Sequence, residues 1–154
     1  MKLLKVCILL IAFVGIGIYT ASHLIKEDRE TTNYAYTFVG ESENWRAAYT
    51  VNGKEVWDKE NGVVTYAHDD SDQFVLSFIG DKSIYASIKQ LNYSYETSNG
   101  GGGGTTYSNE LGSPKKAATN RGSSRGGAKI QEDEVIQVTV KWDDFEESFD
   151  LYNE

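Results

Sequence analysis

The chain has 154 residues, of which 23 are acidic and 15 are basic, with two histidines and one cysteine. All the acids but only 12 of the basic residues follow residue 26, which gives this part a net charge near −11. Such an acidic balance repels polyanions, and it argues against a general nucleic-acid or anionic-membrane binder.

The first 25 residues form a separate apolar segment. Two lysines precede an apolar run that extends over residues 6–25 at its longest. At ~1.5 Å rise per residue, a helix of about 20 residues crosses the roughly 30 Å hydrocarbon core of a bilayer. We therefore expect a transmembrane anchor or a cleavable signal peptide over 1–25, followed by a linker over 26–32.

Both interpretations place the rest of the chain outside the cytoplasm. An uncleaved segment gives a single-pass protein of the cell membrane with an extracytoplasmic C-terminal domain, and cleavage gives a secreted one. Cys7 lies at the start of the apolar run and not after it, so lipid attachment is disfavoured and a buried apolar thiol is expected. The exported part has no cysteine, so its core alone must hold it together.

Residues 33–154 are predicted to form one all-β domain, an antiparallel β-sandwich of the immunoglobulin-like or a related type. Proline occurs once, and apolar and polar residues alternate with a period of two, which is typical of half-buried strands. Ten tyrosines, six phenylalanines and three tryptophans favour the same class, because aromatic side chains suit pleated surfaces.

The first strands are predicted around two Asn-Gly pairs. Alternate residues over 34–38 share one face of a strand, and alternate residues over 45–51 share one face of the next. Asn52-Gly53 and Asn61-Gly62 are strong hairpin signals, so we expect a tight turn at each and a three-stranded meander.

The acidic sequence HDDSDQ, residues 68–73, is predicted to be a turn between two strands. Its Asp69, Asp70 and Asp72 are clustered carboxylates of the kind that calcium prefers, but the pattern of a twelve-residue calcium loop is missing. We expect an acidic turn, with calcium as the weaker alternative and with no cofactor or other metal.

Two further strands are expected from the next apolar runs. The sequence QFVLSFIG, residues 73–80, is apolar on both faces, as in a central strand that is covered on both sides. Residues 83–96 alternate in two registers with a phase change near Lys89-Gln90, which predicts one strand with a β-bulge.

Residues 98–128 are predicted to be a flexible loop that contains five consecutive glycines, Gly100 to Gly104. A phosphate-binding loop is not expected, because the run lacks the Gly-Lys-Ser/Thr ending and a following helix. Five basic residues follow without an acid among them: Lys115, Lys116, Arg121, Arg125 and Lys129. We expect them to be solvated, to fold back onto the acidic domain, or to bind an anionic wall polymer or lipid headgroups.

The last 20 residues predict a hairpin with a defined register. A two-residue turn at Asp143-Asp144 pairs Trp142 with Phe145 and Val140 with Glu147. Glu147 then lies on an otherwise apolar face, so it must reach solvent, find a cationic partner or take a raised pKa. A longer loop would shift the register and turn Glu147 outward.

The sequences FVGESENWRAAYTV (38–51) and VIQVTVKWDDFEESFDL (135–151) resemble a group of small exported or membrane-anchored β-sandwich proteins of Gram-positive bacteria. The positions that recur in the motif are Gly40, Glu41, Ser42, Asn44, Trp45, Trp142 and Glu147. Many members look like lipoproteins, and this chain differs in lacking the lipoprotein cysteine. The resemblance implies an envelope location and a fold, and it carries over no catalytic residues.

These observations predict an extracytoplasmic, membrane-anchored binding or interaction module that is not an enzyme. If a surface groove exists, we expect Glu41, Asn44, Trp45 and Glu147 to form it, although Trp45 is more simply placed in the core. The exported part has no nucleophile elbow and no cysteine. The alternatives are an envelope hydrolase that uses carboxylates, such as Glu41 with Glu147, and an accessory subunit of an envelope complex with a large exposed apolar patch.

Overall fold

A computed structural model describes residues 28–60, 62–126 and 128–154, and the predicted anchor or signal segment lies outside them. The described strands are β1 (Asp28–Glu41), β2 (Trp45–Glu60), β3 (Val63–Phe78), β4 (Gln90–Thr97), β5 (Gly100–Tyr107), β6 (Ala118–Arg125), β7 (Ile136–Trp142) and β8 (Phe145–Asn153). A short helix α1 spans Lys82–Ser87, and a 3-10 turn spans Pro114–Lys116. Neither of these described helices is long and apolar enough to cross a membrane.

The strands form one antiparallel sheet in the order β5-β4-β7-β8-β1-β2-β3-β6. The predicted all-β antiparallel class is confirmed. The predicted sandwich is not shown, because the described strands are hydrogen-bonded into a single sheet instead of two facing ones.

The chain divides into two compact units. The described residues of the smaller unit are 28–30, 57–60 and 62–65, and the larger unit contains Thr31–Val56 and Tyr66–Glu154. In the larger unit the edge strands β5 and β6 come close together, so its sheet is nearly closed and barrel-like.

The core of the larger unit is filled by alternate residues of the strands. The face predicted for β2 is buried from Trp45 to Val51, and Phe38 of β1 is fully buried as well. Trp45 and Trp142 both lie in this core, with their ring centroids 5.6 Å apart. Each of these large side chains contributes roughly 1.5–3 kcal/mol by leaving water.

The register of the last hairpin is confirmed. Trp142 pairs with Phe145, Val140 with Glu147 and Ile136 with Leu151. Asp143 has φ 49°, the left-handed conformation that a two-residue turn requires. The Asp143 carboxylate also accepts hydrogen bonds from the backbone N–H groups of Lys89 and Gln90, and these contacts hold this less favourable turn residue in place.

Of the two predicted Asn-Gly turns, one is confirmed and one is wrong. β2 ends at Glu60 and β3 begins at Val63, with Gly62 at φ 81° between them. By contrast, β2 continues through Asn52-Gly53 without a turn. The ring of Tyr34 lies across this point of the strand, and a methyl group on Gly53 would be 2.2 Å from Tyr34 Cζ. Gly53 is therefore explained by close packing and not by a turn.

The predicted turn at 68–73 is wrong, because β3 runs unbroken from Val63 to Phe78. The predicted strand with a bulge over 83–96 is also wrong, because this segment contains α1 and then β4. The helix is favoured by its N-cap, where the Asp81 carboxylate accepts the Ser83 N–H at 2.7 Å. Residues 73–80 are expected to be buried on both faces of the strand. This prediction is wrong at the C-terminal end of the segment, where Ile79 is exposed.

The prediction of a loop over 98–128 is corrected by β5 and β6. The glycine run is a strand that pairs with β4 from Thr97↔Gly100 to Gln90↔Tyr107. Its glycines allow a close approach between the strands, since a methyl group on Gly103 would lie 2.5 Å from the carbonyl oxygen of Tyr93. The basic stretch contributes β6, which pairs with β3.

Candidate functional site

A cleft of about 250 Å³ lies in the larger unit where β5 and β6 approach each other, and we call it the seam cleft. Its buried lining residues are Tyr49 and Tyr95, and the half-buried Asp72 lies beside them. Its other polar lining residues come from β6 and from the end of β4 and the turn that follows it: Thr97, Asn99, Asn120, Arg121, Ser123 and Ser124. The two sides meet where Ser124 Oγ donates a hydrogen bond to Asn99 Oδ1 at 3.3 Å.

Strand β3 turns its polar half toward this site. Because strand side chains alternate between faces, His68, Asp70 and Asp72 point to the same side as the buried Phe74. His68 and Asp70 are buried and Asp72 is half-buried. The interior of the larger unit is therefore apolar along one half of β3 and polar along the other.

Asp72 is the central charge of the seam cleft. Burial, and then the nearby charge of Asp70, raises the pKa of its carboxyl. A methyl group on the opposite residue, Gly122, would lie 2.5 Å from an Asp72 carboxylate oxygen, so the missing side chain at this position leaves room for the carboxylate. Burying the ionised carboxyl of Asp72 costs the folded protein free energy. Carboxyl groups with raised pKa values are found more often at functional sites than elsewhere.

Two tyrosines complete the buried part of the cleft. Burial, and then the charge of Asp72, raises the pKa of Tyr95 to about 12 and moves the pKa of Tyr49 upward as well. Both phenols therefore stay protonated over the physiological range and can donate hydrogen bonds. Their rings also supply apolar surface beside these polar groups.

Asp70 is more buried than Asp72, and its carboxylate already has partners within the protein. The Tyr34 hydroxyl donates to Asp70 Oδ2 at 3.3 Å, and His68 Nε2 lies 3.6 Å from the same oxygen. The His68 and Asp70 side chains expose 0% and 2% of their surface. Asp70 is therefore closed to a ligand in solvent, and Asp72 is the carboxylate that the cleft presents.

Lys129 covers the polar interior beside Tyr34. Its ammonium lies 3.0 Å from Glu55 Oε1 and 4.4 Å from the centre of the Tyr34 ring. The hydrogen bond from Lys129 lowers the pKa of Glu55. Both side chains are more than four-fifths buried, so this ion pair belongs to the folded structure and is not a solvated surface contact.

The other predicted basic residues have different surroundings. Arg125 folds back onto Asp69, although its side chain remains 87% exposed. Lys115 and Lys116 are exposed in the 3-10 turn. Arg121 is exposed, pairs with Gln73 on the outer face of β3 and borders the seam cleft.

Glu147 is held by the turn between β1 and β2. Its carboxylate accepts hydrogen bonds from the Ser42 hydroxyl, from the Asn44 backbone N–H at 3.1 Å and from Asn44 Nδ2 at 2.7 Å. These neutral donors satisfy the carboxylate without the cationic partner that its place on an apolar face suggested. The two ends of the sequence motif thus meet in the fold.

The four residues proposed for a surface groove do not form one surface. Asn44 and Glu147 contact each other, but Trp45 is fully buried and Glu41 forms an exposed ion pair with Arg46. Glu41 and Glu147 also have separate partners, so the structure gives no support to them as an acid–base pair.

The acidic cluster is divided by the strand. Asp69 points outward to Arg125, whereas Asp70 and Asp72 point inward. Within the described residues, no group of three or more histidine, cysteine, aspartate or glutamate side chains is arranged to hold a metal ion.

A larger depression of about 630 Å³ lies beside Tyr36, Tyr152 and the 131–134 segment. Its half-buried carboxylate, Glu134, already accepts a hydrogen bond from the Ser98 N–H at 2.6 Å, so this group has a partner within the chain. The seam cleft has the stronger claim because buried titratable groups converge on it.

Sequence reasoning missed the role of Tyr49, Tyr95 and Asn120, and it assigned Asp72 to a turn. The sequence does contain a signal for Asp72. If the alternation of core-facing residues in β3 is extended from Phe74 toward the N-terminus, Asp72 falls on the core face. Polar residues on such a face are unusual unless they have partners or a function. The approach of β6 to β5 has no local sequence signal.

Comparison of the chain with protein-family models, with curated proteins and with solved structures returns no match.

Proposed function

We propose that the chain is a membrane-anchored, extracytoplasmic binding module whose ligand site is the seam cleft. The observation that carries the proposal is Asp72, a carboxylate kept at the cleft despite the cost of its partial burial. The apolar segment over 6–25 and the resemblance to exported Gram-positive proteins support the location.

The lining groups favour an uncharged ligand rich in hydroxyl groups. Asp72 accepts hydrogen bonds, the tyrosine hydroxyls donate them, and Asn99 and Asn120 do both. The cleft lies below the roughly 300–1,000 Å³ of pockets that enclose drug-sized molecules, so it fits one sugar-sized unit. A neutral glycan presents such units, with polar edges for these groups and C–H faces for the tyrosine rings.

The test is a binding titration of the full-length protein in nanodiscs with the tetramer of N-acetylglucosamine. Ligand-observed NMR measures the affinity. Asp72→Asn is expected to weaken binding at least tenfold, equivalent to about 1.4 kcal/mol. Asp69→Asn is the matched control, because it removes a carboxylate from the outer face of the same strand. The affinity of this variant for the tetramer should equal that of the wild type.

Loss of affinity in Asp72→Asn alone supports the site. Equal binding by all three proteins, or no binding by the wild type, contradicts it. A glycerol phosphate oligomer is titrated in parallel, and binding of that polymer alone, with loss in Arg121→Gln, would replace the neutral glycan by an anionic ligand.

A hydrolase is the second candidate, because Asp70 and Asp72 are two carboxylates on one strand face with their Cα atoms about 7 Å apart. Paired carboxylates with different environments serve acid–base catalysis. The burial of Asp70 between Tyr34 and His68 favours binding instead, since a substrate cannot reach it. Shorter oligomers that accumulate with the wild type but not with Asp72→Asn would favour the hydrolase.

A further inference from the structure

The end of the β2–β3 hairpin carries exposed apolar side chains. Trp57 is 46% exposed, Val63 is 62% exposed and Val64 is 59% exposed. Val63 and Val64 are neighbours in one strand, so their side chains point to opposite faces. Apolar surface is therefore exposed on both faces at this end, which is uncommon for a hairpin that ends in water.

This hairpin end lies beside the first residues of β1. The two strands β1 and β2 are neighbours in the sheet, and Arg29 and Glu30 line one shallow depression together with Trp57 and Val64. In the sequence, the apolar run over 6–25 ends three residues before β1 begins at Asp28. Three residues span at most about 10 Å, and the described chain begins beside the hairpin end, which makes this end the nearest described surface to the proposed anchor along the sequence.

We propose that the hairpin end, defined by Trp57, Val63 and Val64, rests in the headgroup region of the membrane that the apolar segment enters. The inference rests on the proposed membrane anchoring. Tryptophan concentrates at membrane–water interfaces, where its apolar ring and its N–H group are both accommodated. This second contact holds the hairpin end at the surface of the bilayer.

The charged residues around the hairpin end indicate which kind of lipid surface it contacts. The same depression contains two cations, Arg29 and Lys59, and two anions, Glu30 and Asp58. The contact is therefore apolar and not electrostatic, so it needs no anionic lipid and is insensitive to salt. A second copy of the chain is a poorer occupant, because stable protein interfaces bury roughly 1,200–2,000 Å² and this patch is made of three side chains.

Trp57 is its own reporter, because Trp45 and Trp142, the other two tryptophans of the chain, are buried in the core. The full-length protein is reconstituted into phosphatidylcholine vesicles with and without brominated acyl chains, and tryptophan emission is recorded at low and high salt. The expected result is a loss of emission on bromination that is absent in Trp57→Phe. Val64→Glu should reduce this loss, whereas Val135→Glu, at another exposed valine, should not.

The outcomes separate this inference from the proposed function. Protein that floats with the vesicles but shows no Trp57 quenching overturns the hairpin contact and leaves the anchor and the seam cleft standing. Protein that does not float overturns the anchor and the contact together. Trp57 emission that is shifted to the blue without bromine quenching, with crosslinked dimers, would assign the patch to a second copy and overturn the lipid contact.

Discussion

At the scale of single residues, the partly buried Asp72 lowers the stability of the folded state when its carboxyl is ionised. Its pKa is raised in the folded state, so its ionisation costs the folded protein free energy above that pKa. The cost disappears as the pH falls through the folded pKa and the carboxyl is protonated. The wild type should therefore lose stability relative to a neutral variant as the pH rises toward 7.

We expect Asp72→Asn to raise the melting temperature at pH 7 by roughly 2–4 °C, which corresponds to about 1 kcal/mol in a protein of this size. The gain should shrink at lower pH, where the wild-type carboxyl is also neutral. Thermal unfolding between pH 4 and pH 8 measures this dependence. Asp69→Asn should show no such trend, and a lower melting temperature for Asp72→Asn at every pH would contradict the explanation.

Glu147 has the opposite role, since its partners stabilise the folded state. Glu147→Gln replaces a charged acceptor of three hydrogen bonds and should lower the free energy of unfolding by about 1–3 kcal/mol. Urea unfolding measures the loss. Its neighbour Glu146 forms an exposed pair with Lys141, so Glu146→Gln should change stability by less than about 1 kcal/mol. Equal effects of the two changes would show that the turn contacts do not matter.

At the scale of elements, the glycine strand β5 depends on its close fit to β4. A methyl group on Gly103 would meet the backbone oxygen of Tyr93 at 2.5 Å, whereas one on Gly104 would meet the movable Tyr93 ring at 3.2 Å. We expect Gly103→Ala to cost about 1–3 kcal/mol and Gly104→Ala clearly less, because overpacking is costly where the backbone cannot move. Denaturant unfolding of the two variants tests the order, and the reverse order would refute the close fit.

The same elements show which parts of the fold are readable from sequence. The β7–β8 register was predictable, because a fixed turn length and strict alternation over 136–151 leave one consistent pairing. The Asn52-Gly53 turn was not, since the local turn preference is outweighed by the Tyr34 ring that packs on Gly53. Strand β5 was not predictable, because glycine has a low strand propensity. The strand forms through its pairing with β4.

The candidate site was harder to predict than the fold. Asp72 and Tyr49 lie on strands whose alternation is readable, but Asn120 and Arg121 reach the cleft only through the pairing of β3 with β6. That pairing joins residues about 50 positions apart, and no local pattern specifies it. The motif residues around Glu147 were recognisable, yet the structure gives Asn44 and Glu147 a contact between turn and strand.

At the scale of the whole molecule, the two sides of the seam cleft belong to the weakest part of the sheet. Edge strands have a partner on one side only, so we expect amide hydrogens of β5 and β6 to exchange with solvent sooner than those of β7. Exchange followed by mass spectrometry measures this order. The N-acetylglucosamine tetramer should slow exchange in β5 and β6 and leave β7 unchanged, and protection of β7 alone would place the ligand elsewhere.

The position of β8 sets the order in which the chain can complete its fold. β8 is the last described strand, yet it lies between β7 and β1, and among the described strands it alone pairs with both the group β5-β4-β7 and the group β1-β2-β3-β6. During synthesis, the two groups have no common strand until residues 145–153 have emerged. A protease or chaperone that meets the growing chain therefore encounters two incomplete sheets with open edges, and one strand joins them into a single sheet.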